Sequence, residues 1–211
     1  LHYPLRRQRQ MCIRDSGNGA RAFAKFVRHV GLFWRSSMRV TTINGEMELR
    51  INDDGSVTVD MGKPKLKSHE IPTQASTEGP HHRLDVDGNT HQFVTVNMGN
   101  PHAVLSVQDV INAPVNALGK RLCEHAFFPE QANIGFMQVM NRDTMRLRVY
   151  ERGAGETEAC GSGACAAVVA GRLLDRLNEQ VVVHLPVGNL LIQWVGEGHS
   201  VMMTGPAQLV Y

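Results

Sequence analysis

The chain has 211 residues, 42% of them hydrophobic and 20% charged, and its 22 Lys+Arg against 20 Asp+Glu give a formal charge of only +2. That balance excludes a disordered chain and leaves no electrostatic footprint for a nucleic-acid partner. No apolar run reaches the ~20 residues that a membrane span needs, so no membrane partner and a cytoplasmic location are expected. The cysteines Cys12, Cys123, Cys160 and Cys165 form no C-x-x-C pair, which disfavours a zinc ribbon or a disulfide scaffold.

Residues 1–15, LHYPLRRQRQMCIRD, carry neither a strand nor a helix period and read as foreign to the fold or as a disordered arm. The spacing of Ala20, Phe23, Ala24, Phe26, Val27 and Val30 predicts an amphipathic helix over 20–30. Strands follow at 38–43 and 46–51 about the turn Asn44-Gly45, and at 56–60 after Asp53-Asp54-Gly55. Residues 63–80, rich in Lys, Pro, Ser and Thr, read as an irregular connection.

A second hairpin is predicted at 84–86 and 92–97 across Asp87-Gly88-Asn89, then a strand over 102–107 and a helix over 113–125. Paired strands follow at 134–140 and 145–150, then a loop over 151–159. The helix at 161–175 is apolar on nearly every side, so it is expected to be buried with sheet wrapped around it. Strands at 181–185, 190–195 and 200–203 close the chain. Antiparallel hairpins prevail and no Rossmann alternation is legible, which makes the class α+β.

One pattern occurs twice, as Ser16-Gly17-Asn18-Gly19-Ala20 and Cys160-Gly161-Ser162-Gly163-Ala164. A glycine-rich turn that opens a helix presents unpaired N–H groups and the positive end of the helix dipole, so each copy is a candidate anion cradle. Helix packing would explain either set of glycines alone, but not the repetition. Both copies fit a loose G-x-G-x-x-A dinucleotide pattern, yet a polar loop rather than a strand precedes the second, which argues against nucleotide binding. A free cysteine is ordinarily an inert core residue. Cys160 instead stands on a polar loop at a helix N-terminus, where a thiolate forms most easily, so it is the expected reactive thiol and Cys165 a structural one.

In Glu151-Arg152-Gly153-Ala154-Gly155-Glu156-Thr157 the chemistry suits a zwitterion, with Arg152 for a carboxylate and Glu151 for an ammonium group; a solvated loop is the plain alternative. Asn100 and Asn133 each precede a turn or strand and are open to a reading as turn residues. His102 alone is more often structural than catalytic.

The stretches GNGARAFAKFV, VNMGNPHAV, ANIGFMQV, RVYERGAGETEACGSGACAAV and MTGP together resemble diaminopimelate epimerase, from about Ser16 to Tyr211. The resemblance implies two pseudo-symmetric halves, each a mostly antiparallel barrel-like sheet around a central helix, with the active site between them. Here residues 16–82 would be the remainder of an incomplete first half, 83–199 the second half, and 200–211 a final strand returning to the first.

It also implies an isomerase of lysine and peptidoglycan-precursor biosynthesis that interconverts LL- and meso-diaminopimelate without cofactor, pyridoxal phosphate or metal, on a small-molecule substrate and with a homodimer left open. By the same resemblance Cys160 is one catalytic cysteine and Ser16 stands in the place of the other. Gly17, Asn18, Gly161 and Ser162 would hold the reacting carboxylate, Asn100, Asn133, Glu151 and Arg152 the remaining polar groups, and His102 and Glu151 would tune the thiols. Two alternatives stand beside it: a proline racemase or hydroxyproline epimerase relative, and a non-catalytic ligand-binding remnant, favoured by Ser16 and by the missing front of the first half.

Overall fold

A computed structural model describes residues 17–42, 45–75 and 78–207. Ser16, the segment 1–15, the turn residue Asn44 and the last four residues lie outside the described residues. In chain order the elements are α1 (Gly17–His29), β1 (Ser37–Thr42), β2 (Gly45–Ile51), β3 (Val57–Asp60), β4 (His81–Val86), β5 (Asn89–Asn97) and β6 (Pro101–Ser106). Then come α2 (Val115–Cys123), β7 (Asn133–Asn141), β8 (Thr144–Glu151), β9 (Gly155–Thr157), α3 (Gly161–Leu173), β10 (Gln180–Leu185), β11 (Gly188–Gln193) and β12 (Met202–Gly205). No helix of the described residues is long and apolar enough to cross a membrane.

The class is α+β, dominated by sheet. The strands join in one hydrogen-bonded path, β1-β2-β3-β12-β11-β10-β8-β7-β6-β5-β4, with β9 added to β8. β12 is the seam: it pairs with β11 through Leu191–Thr204 and with β3 through Val59–Met203, so the last strand ties the early strands to the later ones. Most pairs are antiparallel, and the β4–β5 hairpin turns through Asp87 and Gly88, both at positive φ.

Two pairs, β6/β7 and β8/β10, are parallel. A parallel pair needs a crossover, and the two crossovers carry α2 and α3. The sequence reading missed these parallel pairs because strand runs of mixed apolar and polar residues do not disclose their direction. It also took 151–159 wholly as loop; Gly155–Thr157 instead forms the short strand β9 against β8.

α3 has every residue from Gly161 to Gly171 buried. Its Gly, Ala, Ser and Val side chains are short enough for the sheet to close around it, and it shares a core with Leu49, Val57 and Val59 of the early strands and Val149, Val181 and Ile192 of the later ones. α1 shows the opposite character: only Gly17, Arg21 and Ala24 are buried, while Phe23 and Phe26 of its apolar stripe are about half exposed. α2 packs a separate stripe, Val115, Gly119, Leu122 and Cys123, against the outer face of the sheet in a second core with Ile134, Phe136 and Phe128.

The α2 packing depends on Gly119. A Cβ there would stand 2.6 Å from Tyr150 Cβ on β8, a contact that no side-chain rotation relieves. Gly119→Ala gains up to about 1 kcal/mol of helix propensity, but overpacking costs about 1–3 kcal/mol. Net destabilisation, read as a lower chemical-denaturation midpoint, is therefore expected; an unchanged or raised midpoint would contradict the packing.

Candidate active site

The topology gathers polar residues at one end of the parallel strands. The β6/β7 register sets His102 beside Asn133, and the β7/β8 register sets Ile134 against Tyr150, so the starts of β6 and β7 meet the end of β8 and with it Glu151. The N-terminus of α3 arrives at the same place. Cys160 is its N-cap residue, in extended conformation, and accepts the Ala164 N–H with its carbonyl.

Seven polar or charged side chains are buried among the described residues, and four of them, Asn100, His102, Asn133 and Ser162, stand here. Buried polar groups are costly unless bonded, so such a concentration marks a built site rather than a packing accident.

A chain of contacts links them. Neutral His102 donates from Nε2 to Asn100 Oδ1 at 2.9 Å, Asn100 Nδ2 donates to Ser162 Oγ at 3.5 Å, and Ser162 Oγ lies 3.7 Å from Cys160 Sγ. Burial, with Arg152 adding to it, pulls the His102 pKa down to about 3. Its imidazole is therefore an uncharged donor at neutral pH and orients the asparagine rather than supplying a proton.

Asn133 Oδ1 accepts the Arg152 N–H at 3.0 Å and its Nδ2 reaches the Pro101 carbonyl at 3.4 Å, while Arg152 Nη1 donates to the Glu130 carbonyl at 3.0 Å. The Thr157 hydroxyl donates to Glu151 Oε1. Asn100, His102, Asn133, Glu151, Arg152, Cys160, Gly161 and Ser162 are thus one neighbourhood, joined through β6, β7, β8 and α3.

The structure reverses one expectation. The helix N-terminus was expected to make a Cys160 thiolate easy, yet burial first and the Glu151 charge second push its pKa up to about 12. The Gly163 N–H and the Ser162 hydroxyl pull the other way and lose; Glu151 also favours the thiol by accepting its hydrogen bond. At 5% exposure Cys160 is a closed-site thiol, suited to delivering a proton. Cys165, inside α3, and Cys123, in α2, are buried and raised as well.

The first glycine motif completes the neighbourhood. Met203 of β12 sits between the two helix N-termini: a Cβ at Gly17 would overlap its Cε, and a Cβ at Gly161 would come within 3.1 Å of its Sδ and 3.7 Å of Asn18 Oδ1. Glycine at both positions lets α1 and α3 converge with Asn18 between them. The sequence reading missed Arg21, which donates to Asn18 Oδ1 at 3.0 Å and to the Pro206 carbonyl at 3.1 Å and so pins the α1 turn to the end of β12. Its i, i+3 spacing from Asn18 was the available signal. Ser16, which the resemblance sets in the place of a second cysteine, lies outside the described residues.

A cleft of about 440 Å³ is lined in part by Asn18, Arg21 and Ala159. A larger one, about 1200 Å³, lies by His82, Phe93 and Phe127 and holds none of the residues above. Size does not locate the chemistry here; the buried polar cluster does.

The fold is similar to the crystal structure of a hydroxyproline epimerase from Agrobacterium vitis, with TM-score 0.62 at 15% identity, over 89% of this chain and 62% of that one. At that identity the likeness shows the fold; the class, an isomerase of the epimerase kind, comes from the sequence relatives. Among sequences, a model of the diaminopimelate epimerase family matches residues 94–210. Diaminopimelate epimerases from Pseudomonas syringae pv. tomato and Pseudomonas aeruginosa are 50% and 51% identical over 199 residues, which cover 94% of this chain and 72% of theirs. The chain belongs to the diaminopimelate epimerase family.

Buried His102 has a consequence for acid stability. An ordinary histidine takes its proton near pH 6.5, whereas folded His102 waits until about 3, so below pH 6.5 the unfolded chain binds the extra proton. Stability from this residue is complete above pH 6.5 and falls as pH drops towards 3, by about 2 kcal/mol at about pH 5. His102→Gln should flatten that part of the stability–pH curve; an equally steep loss in the variant would place its origin elsewhere.

Proposed function

We propose that this chain carries the site for interconverting LL- and meso-diaminopimelate by two-base proton transfer, in the cytoplasm and on the route to lysine and peptidoglycan precursors. The single observation that supports it best is Cys160, a thiol held neutral at a buried helix N-terminus beside Glu151 and Ser162. Residues 16–82 and 83–199 act as the two halves that flank the substrate, with 200–211 closing back on the first.

A base on one face of the α-carbon removes its proton, leaving the electron pair on carbon and the adjacent carboxylate. A thiol on the opposite face then donates a proton to that carbon, which inverts the centre with no net change in electrons. Gly17 and Asn18 of α1 and Gly161 and Ser162 of α3 aim N–H groups and helix dipoles at the carboxylate, where charge builds in the transition state. Asn100, Asn133 and Arg152 bind the distal polar groups, and Glu151 faces an ammonium group. Cys160 is the acid in one direction and, as thiolate, the base in the other.

Ser16 breaks that symmetry, because its hydroxyl is far too weak an acid to exchange roles with a thiol. Loss of an acid–base partner typically costs about 10²–10⁴-fold in rate, so Ser16→Cys should raise α-proton exchange of diaminopimelate in deuterium oxide by about that factor. Equal exchange by both proteins would exclude position 16 from proton transfer.

Substrate class separates this reading from its fold-level alternative. meso-Diaminopimelate should protect Cys160 from alkylation, whereas trans-4-hydroxyproline, with no distal zwitterion for the asparagines and Arg152, should not. Protection by hydroxyproline alone would favour a proline-type isomerase.

A further inference from the structure

Three residues outside the site are placed to control it. Alternation along β8 sends Val149 and Glu151 to the side of α3 and Arg148 and Tyr150 to the outer side, where Tyr150 packs in the α2 core. β9 follows the same rule: Thr157 pairs with Val149 and Glu156 with Tyr150. On the inner face Val149 and Cys160 both lie against Gly163, each 3.1 Å from the position of a Cβ there, and the Thr157 hydroxyl donates to Glu151.

On the outer face Glu156 is held twice. Its Oε1 accepts from Arg148 Nε at 2.7 Å, and its Oε2 accepts from Asn116 Nδ2 in the first turn of α2 at 2.7 Å. Arg148 Nη1 also donates to the Val110 and Ile111 carbonyls at 2.9 and 2.7 Å, which fastens the segment leading into α2 to the same point.

A three-residue strand at the side of a sheet has little cohesion of its own. Both carboxylate oxygens of Glu156 are nonetheless used, and one partner comes from α2, the other from β8. The outer face is therefore a bolt, and what it holds in register on the inner face is Thr157.

We propose that Arg148, Glu156 and Asn116 are positioning residues for Cys160: they fix β9 so that Thr157 holds the Glu151 carboxylate against the thiol. The device rests on the reading of Cys160 and Glu151 given above. Loosening it lets Glu151 turn towards solvent, and the thiol then ionises more readily, as it does when the Glu151 charge is removed outright.

The test is the pH profile of Cys160 alkylation by iodoacetamide, read by peptide mapping, in the full chain and in Glu151→Gln, Glu156→Gln and Asn116→Ala. Asn116 is exposed on α2, so its variant keeps the test decisive if Glu156→Gln fails to fold, a failure that labelling of fully buried Cys165 reveals. Glu151→Gln should speed alkylation at mildly alkaline pH by about three- to tenfold. Glu156→Gln and Asn116→Ala should move the profile in the same direction by a smaller factor, and neither should add to Glu151→Gln in a double variant.

Unmoved profiles in the folded outer-face variants, or shifts of undiminished size on top of Glu151→Gln, would overturn the positioning role. No shift in Glu151→Gln itself would overturn the underlying coupling of Glu151 to Cys160, a separate failure.

Discussion

A helix buried on all sides must begin inside the protein, and its first N–H groups have no partners within the helix. α3 is such a helix, buried from Gly161 through Gly171, and the rest of the structure answers to that constraint. Small residues let the sheet close around it. The parallel pairs β6/β7 and β8/β10 bring strand ends to its N-terminus, and the polar side chains on those ends are the ones that bury there. Met203 of the seam strand sets the distance between this helix and α1. The proposed site sets the substrate carboxylate at these two N-termini, where Asn18 is itself held by Arg21.

The same burial decides the protonation state of the thiol. Dipole and N–H groups favour thiolate at any helix N-terminus, but here they act on a sulfur almost entirely removed from water and beside a carboxylate, and the larger effect wins. Inverting a carbon without a cofactor needs one face to give a proton as readily as the other takes it. A buried thiol that stays protonated until negative charge develops beside it meets the first need. Glu151 then has two consequences: its charge raises the thiol, and its position is inherited from Thr157 and the strand that carries it.

Much of this was legible in the sequence. The residue pattern around Cys160 identified α3 and its burial, because a long run of small apolar residues opened by a glycine-rich turn reads as an interior helix. The repeated glycine motif marked two helix N-termini as a matched pair of candidate anion cradles, and in the structure glycine at Gly17 and Gly161 leaves room for the Met203 side chain between them. Hairpins were readable where the turns carry their own chemistry, as at Asp87-Gly88. What was not legible depended on partners far apart in the chain. Strand direction in β6/β7 and β8/β10, the pairing of β9, and the roles of Arg21 and Arg148 follow from contacts with Pro206, Glu156 and Val110 that no local pattern encodes. The sign of the Cys160 shift belongs with these, because local sequence reports the helix terminus and tertiary burial reports the solvent.

The most direct measurement is the ionisation of Cys160 itself, followed by carbon NMR of cysteine-labelled protein, with Cys160→Ala used to assign the resonance. The account predicts that the Cys160 Cβ signal stays at its thiol position from neutral pH into the alkaline range where a free cysteine has already ionised, and that its transition to the thiolate position moves to the ordinary cysteine range on unfolding and part of the way there when Glu151 is replaced. A thiolate signal at neutral pH in the folded, unaltered chain would contradict it.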